Sequence, residues 1–297
     1  MRFKHIRSIG VVDVLDTLGS FFALLPVLLL TATWSASAYR PLTHALSETL
    51  SREPAAAFAG NAREEMQIPT SPYTAVGKLR FSGHLWCTAT LISRDLILTA
   101  AHCLFDDNNK LRKGRFSFAP ATWLNTGESS FVKDFWWGTN DVVTYPDLDF
   151  AVLRLEKPLG DTYGWMRLQP REWSNKKHTL ETVSYPDDFT NGKKPTYEKG
   201  CRFTFYPWKT PSHVFKLIGH SCTGFDGTSG AGLFYVNGNE ARILALNVRG
   251  SRYGCPLMPK KPCHTIPYDR EHANAAIPAE RIWPLVQKVL AGAPSDI

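Results

Sequence analysis

The chain has 297 residues, 43% of them hydrophobic, and a formal charge of +7. That length and apolar share support a large buried core and exclude a disordered or fibrous chain, and all-β domains often run past about 200 residues as one unit. The charge is modest for the size: Arg2, Lys4 and Arg7 against Asp13 and Asp16 give +1 over residues 1–38, which leaves +6 for the rest. The lysine pairs at 193–194 and 260–261 sit among prolines, as solvated loops do. A nucleic-acid surface needs a longer basic stripe with interleaved aromatics, so no nucleic-acid partner is expected.

In chain order, Arg2, Lys4, His5 and Arg7 form a positive opening, and the apolar run over residues 21–30 has the length of a signal-peptide core, short for a bilayer span. Ala36-Ser37-Ala38 offers small residues where a signal peptidase reads. Residues 1–38 are therefore expected to be a signal peptide, with an uncleaved membrane anchor as the other reading because 17–39 carries no charge. Residues 39–66 are rich in Ala, Glu and Ser and lack a strand pattern, and Pro54 interrupts a weak helical tendency over 47–64. This segment reads as a propeptide or linker.

From residue 67 onward, strand-length runs rich in β-branched and aromatic residues recur between turn signals, at 74–79, 117–119, 141–145 and 241–246. Leu91-Ile92 and Leu96-Ile97-Leu98 read as two buried strands bending at Ser93-Arg94-Asp95, and the second ends in Thr99-Ala100-Ala101-His102-Cys103. Near the end, Ile282, Leu285, Val286, Val289 and Leu290 share a helix face, with Gly292 and Pro294 as its stop.

A serine hydroxyl is a poor nucleophile until a base takes its proton, and imidazole is the side chain suited to that task near neutrality. A carboxylate on the far ring nitrogen fixes the tautomer and stabilises the imidazolium. His102, Asp149 at the head of Asp149-Phe150-Ala151-Val152-Leu153, and Ser229 within Gly227-Thr228-Ser229-Gly230-Ala231-Gly232 supply these groups in the order His, Asp, Ser. Asp147 competes with Asp149, since in a strand both would face one side. His220, before Ser221-Cys222, and His84, beside Gly83, read as structural. The α/β-hydrolase elbow G-x-S-x-G fails because Ala231 occupies its last glycine position.

This constellation resembles the chymotrypsin/trypsin-like serine peptidases, and their bacterial glutamyl-endopeptidase-like branch in particular. The resemblance implies an all-β, chymotrypsin-like fold: a double six-stranded antiparallel β-barrel with a C-terminal α-helix, in a peptidase domain over residues 67–297 with the barrel boundary near 165. It favours Asp149 over Asp147, since the family shows Asp directly before an aliphatic run. It assigns the oxyanion hole to Gly227 and Ser229, and the substrate-binding pocket to Thr223, Gly224, Asn247, Val248, Arg249 and Gly250. Two departures matter. Thr228 stands where trypsin-like members carry an Asp that pairs with a freed N-terminal amine. Asn247 stands where glutamyl endopeptidases carry a His that helps hold the substrate carboxylate, and no Asp falls at Thr223 or Gly224 to read Arg or Lys.

Six cysteines behind a signal-like segment fit an oxidising compartment. Of the fifteen formal pairings, the local ones are preferred: Cys87–Cys103, a hallmark of the family, Cys201–Cys222 at the open end of a hairpin over 203–217, and Cys255–Cys263. These spacings do not suit zinc, so no metal and no cofactor are expected. The implied protein is an exported serine endopeptidase, secreted or periplasmic and monomeric, acting on protein or peptide substrates. It would touch a membrane only through an uncleaved N-terminal segment. The alternative is a catalytically silent homologue acting as a secreted binding protein.

Overall fold

The structure is a computed structural model and describes residues 63–67, 70–82, 85–121, 128–170, 179–204, 209–210, 213–214, 216–249 and 273–297. The signal segment, most of the linker, His84, Gly250, Cys255 and Cys263 lie outside the described residues.

The first described strand, β1 (Glu64–Glu65), belongs to the second sheet. The next six are β2 (Val76–Phe81), β3 (Leu85–Leu91), β4 (Leu96–Thr99), β5 (Phe116–Pro120), β6 (Ser130–Trp137) and β7 (Ala151–Leu155), and they close a barrel in the order β2-β3-β4-β7-β6-β5. The turn from β3 to β4 forms where expected, because the Ser93 hydroxyl accepts the N–H groups of Asp95 (3.4 Å) and Leu96 (3.2 Å). All of β4 is buried, as its unbroken apolar run requires when both faces of a strand are covered. Phe81, Phe116 and Phe135 pack in series inside, with ring centroids 5.0 and 5.7 Å apart.

The segment 141–145, expected as a strand, forms turns instead. The Asp141 carboxylate accepts the Thr144 N–H at 3.1 Å and the Asp141 carbonyl accepts that of Tyr145 at 3.0 Å. A short polar side chain that satisfies its own backbone outcompetes a ladder there.

After the short helix Gly160–Tyr163 come β8 (Arg167–Leu168), β9 (Leu180–Ser184), β10 (Thr196–Cys201), β11 (Phe203–Thr204), β12 (Lys209–Thr210), β13 (His213–Val214), β14 (Ile218–His220), β15 (Gly232–Asn237), β16 (Glu240–Arg249) and β17 (Asn274–Pro278). They build a nine-stranded sheet ordered β1-β10-β9-β15-β16-β17-β14-β11, with β8 parallel to β16 and β12-β13 as a separate hairpin. Among the described residues this sheet is a half-barrel with two edges, and with the closed first barrel and the C-terminal helix it makes the two-barrel arrangement expected. One edge is supplied by β1, whose Glu64 pairs with Tyr197, so the end of the presumed linker is part of the sheet.

The helix Ala279–Leu290 buries Ile282, Val286 and Val289. Leu290, expected on the same face, is exposed at the last turn. The tail beyond it returns to the first barrel: the Asp296 N–H donates to the Phe135 carbonyl (2.8 Å), and its carboxylate accepts from the Trp137 N–H (3.0 Å).

Cys87–Cys103 ties β3 to the residue after His102, and Cys201–Cys222 joins the end of β10 to the segment after β14. Replacing Cys87 and Cys103 together with serine is expected to lower unfolding stability by about 2–4 kcal/mol, mainly by freeing the unfolded chain. Denaturant titration under oxidising conditions measures this, and an unchanged midpoint would contradict it.

Candidate active site

His102 is delivered by β4 through a single 3₁₀ turn, Ala101–Cys103. Its backbone N–H donates to Asp149 Oδ1 at 2.8 Å, and its Nδ1 lies 2.8 Å from Asp149 Oδ2. Both carboxylate oxygens therefore address one residue. A carboxylate only accepts, so the proton belongs on Nδ1 and the Nε2 lone pair is left for the cleft. Asp149 is fully buried while the His102 side chain is 31% exposed. Burial strengthens that pairing and leaves the imidazole accessible.

Asp147 and Asp149 do not share a face. Asp147 lies in the 3₁₀ turn Pro146–Leu148, where strand alternation does not hold. Its carboxylate accepts from the Lys216 N–H at 3.4 Å and from Arg281 at 3.3 Å, which directs it to the second sheet and the C-terminal helix.

The Gly-rich turn carrying Ser229 is clamped from the first barrel by Thr88 of β3. The Thr88 N–H donates to the Ser229 carbonyl (2.9 Å) and its hydroxyl to the Gly227 carbonyl (2.8 Å). His102, Gly227 and Ser229 then line one cleft of about 210 Å³. His102 and Ser229, distant in sequence, share this cleft, and the Asp149 carboxylate stands behind the imidazole.

The trypsin family profile matches residues 62–229, more than half of the chain. The chain belongs to the trypsin family. A vitellin-degrading protease from Bombyx mori is 31% identical over 110 residues, which cover 33% of this chain and 37% of that relative, so the chain spans little more than a third of it. Among solved structures, a Glu endopeptidase superposes with a TM-score of 0.61 at 18% identity, over 80% of this chain and 99% of that one. A thermostable serine protease from an extremophilic microorganism gives 0.54 at 16% identity, over 75% and 100%. At such identities the structural likeness bears on the fold, which is chymotrypsin-like.

Within that trypsin-family frame, the turn before Ser229 is held by neutral groups. The Thr228 hydroxyl donates to the Phe225 carbonyl (2.6 Å) and accepts the Phe225 N–H (3.1 Å). The Asn247 amide donates to the Thr228 carbonyl (3.0 Å) and hydroxyl (3.3 Å), while its oxygen lies 3.0 Å from His220 Nε2. An amide oxygen accepts, so His220 carries its proton on Nε2 and thereby orients the Asn247 amide toward Thr228. His220 is structural, as expected, and burial pushes its imidazole down to about 4 despite the hydrogen bond that it donates to Asn247.

Of the residues expected at the substrate pocket, Thr223 and Asn247 turn their polar atoms inward. Thr223 gives its N–H (2.8 Å) and hydroxyl (3.3 Å) to Glu198, a carboxyl raised above its ordinary range by burial. Gly224 packs against Asn274, and Val248 is buried. Arg249 donates to the Val142 carbonyl across the two halves rather than pointing outward. Cys87, His102 and Cys103 lie close enough together to suggest a metal cluster, but sulfurs joined in a disulfide are not thiolate ligands.

Sequence reasoning missed Thr88, Glu198 and Arg63. The Arg63 guanidinium grips Asp188 with two bonds (2.9 and 2.6 Å). Asp187 beside it donates its N–H to the Asp226 carbonyl at 2.7 Å, one residue before Gly227. Only the Thr88 position next to Cys87 hinted at a role.

The buried His220 sets a pH dependence. Its folded value of about 4 lies below the ordinary 6.5, so the unfolded chain binds the proton first on acidification. Stability is therefore lost as pH falls from about 6.5 toward 4, by about 3 kcal/mol from this group. Urea unfolding at stepped pH should show a shallower acid limb for His220→Gln than for the native chain. Parallel limbs would remove His220 as the cause.

Proposed function

We propose that the chain is an exported serine endopeptidase that cleaves peptide bonds through Ser229, His102 and Asp149. The observation that carries this reading is the Asp149 carboxylate bonded to both the backbone N–H and Nδ1 of His102, with the ring in the same cleft as Ser229. Ser229 Oγ attacks the scissile carbonyl carbon as His102 Nε2 takes its proton. The tetrahedral oxyanion is received by the N–H groups of Gly227 and Ser229. His102 then protonates the departing amine, the acyl-enzyme remains, and water repeats the sequence in reverse.

Gly227 supports the oxyanion role. Its φ of +91° belongs to glycine, and a Cβ there would collide with the Tyr185 carbonyl. Each oxyanion donor of this kind is typically worth about 3–4 kcal/mol of transition-state stabilisation. Asn247 presents no cation to a substrate carboxylate, because its amide is committed to Thr228 and His220. A glutamyl preference therefore does not carry over through that position. The disulfides and the signal-like N-terminus support a secreted or periplasmic protein, with residues 1–38 removed and 39–66 a propeptide or linker whose end, Glu64–Glu65, joins the second sheet.

Ser229→Ala is expected to lower turnover by about 10⁴ or more and to abolish labelling by a fluorophosphonate, with the fold intact. Asp149→Asn should cost about as much through the wrong tautomer, and Asp147→Asn should cost little. Peptide hydrolysis surviving in the Ser229 variant, or the two aspartates exchanging ranks, would sink the assignment.

Because Thr228 is satisfied by neutral partners, no new amine is needed to form the turn. Chains beginning at different residues between 39 and 62 should turn over within about twofold of one another, whereas a start at 67 removes Arg63 and β1 and should lose stability and activity. Active-site titration across that series decides the matter. Activity confined to one start residue, and lost when its amine is acetylated, would show that an ion pair is required after all.

A further inference from the structure

The cleft that holds His102 and Ser229 is lined mostly by the first barrel: Leu79, Phe81, Trp86 and Phe116 join the Cys87–Cys103 bridge, with Arg112 among them. None of Thr223, Gly224 or Asn247–Arg249, the residues assigned to the substrate-binding pocket, lines it. Its volume therefore lies on the other side of the reacting carbon, in front of His102, where the departing amine and its chain must go. Leu79 and Phe116 are 2% exposed, so the floor is apolar, and about 210 Å³ accommodates an aromatic side chain.

Arg112 is held in place by a loop that closes on itself. Its N–H donates to the Leu104 carbonyl at 2.9 Å, Phe105 bridges to Leu111, and the Asp106 N–H donates to the Lys110 carbonyl at 2.9 Å. The guanidinium stands 6.0 Å from the Phe81 ring centroid and makes no ion pair or hydrogen bond among the described residues. Asp106, the acid of that loop, accepts the N–H groups of Asn108 (2.9 Å) and Lys110 (3.0 Å), and Arg112 attracts it only through space, with no ion-pair contact. Asp226, the acid on the cleft, already has partners. Arg112 is the cationic side chain, besides the imidazole of His102, that reaches the cleft itself.

We infer that this cleft is a leaving-group subsite that selects a bulky apolar side chain directly after the scissile bond together with a nearby carboxylate, and that Arg112 reads the carboxylate. The inference rests on the peptidase reading above, and acyl transfer separates the two. The full chain is acylated with p-nitrophenyl acetate, and the burst of nitrophenolate counts acyl-enzyme. An added dipeptide amide then competes with water: its amine nitrogen bonds to the acetyl carbon, the bond to Ser229 Oγ breaks, and the amine proton passes through His102 to Oγ.

The amide of Phe-Glu should capture the acetyl group about tenfold better than that of Gly-Gly, from burial of the ring, and about threefold better than that of Phe-Gln, from a part-exposed charge pair. In Arg112→Ala the Glu-over-Gln ratio should fall to unity, and Arg112→Lys should restore part of it. Ratios are taken within each protein against its own burst, so a change in folded fraction cancels. A burst with equal capture of all three amides, or a Glu-over-Gln ratio that survives Arg112→Ala, overturns the inference alone. A chain that gives no burst overturns the peptidase reading with it.

Discussion

The placement of Ser229 against His102 depends on one buried residue, Thr88. Its N–H and hydroxyl hold the carbonyls of Ser229 and Gly227, its carbonyl accepts the Thr99 hydroxyl at 2.9 Å, and its hydroxyl also accepts the Tyr185 N–H at 3.0 Å. Thr99 ends the strand that delivers His102. The turns that carry Ser229 and His102 are thus referenced to each other through adjacent strands of a closed barrel. Thr88 is fully buried, so any of these groups left unpaired would cost about 1–3 kcal/mol. That penalty disfavours small slips of the turn, and a small slip is enough to spoil an attack geometry.

The same turn illustrates how neutral groups can replace an ion pair. A buried carboxylate beside a nucleophile is unstable until a cation reaches it, which makes the turn conditional. Thr228 demands only one acceptor and two donors, and Phe225 of its own loop and Asn247 of β16 provide them. The dependence moves elsewhere, to the amide orientation of Asn247 and so to the single proton on His220. His220 Nδ1 has no partner among the described residues. That is the smaller penalty, since an orphaned acceptor costs far less than a buried unpaired charge.

Much of this was legible in the sequence where the signal was local. The bend at Ser93, the His102 turn, the Gly-rich segment and the apolar face of the final helix all arise from neighbours within a few residues. What failed was read with the wrong local geometry or needed distant partners. Asp147 was matched to Asp149 by strand alternation, yet a 3₁₀ turn separates their directions. The stretch 141–145 has strand composition, yet the Asp141 carboxylate captures its own backbone. Glu64–Glu65 looks like linker because a two-residue strand leaves no pattern, and only the edge of β10 makes it one. Thr88 meets Gly227 across 139 residues of chain, and no periodicity announces such a contact.

Trp86 connects the features that remain. Its Nε1–H donates to the Tyr185 carbonyl at 2.9 Å, and its ring carries the Lys78 ammonium 3.8 Å from the centroid. Lys78 in turn donates to the Gly192 carbonyl at 2.8 Å, and burial first, then Arg80, brings its amine down to about 8 against the pull of Asp187. Gly192 and Gly227 both approach the indole so closely that a Cβ at either would overlap it. One rigid side chain therefore fixes the Gly227 turn on one side, the 186–192 segment on another, and a wall of the cleft beside His102 on a third. Any displacement of that wall acts on the residue against which Gly227 is packed. The shape of that wall and the position of the Gly227 turn are consequently coupled through packing, with no moving part required.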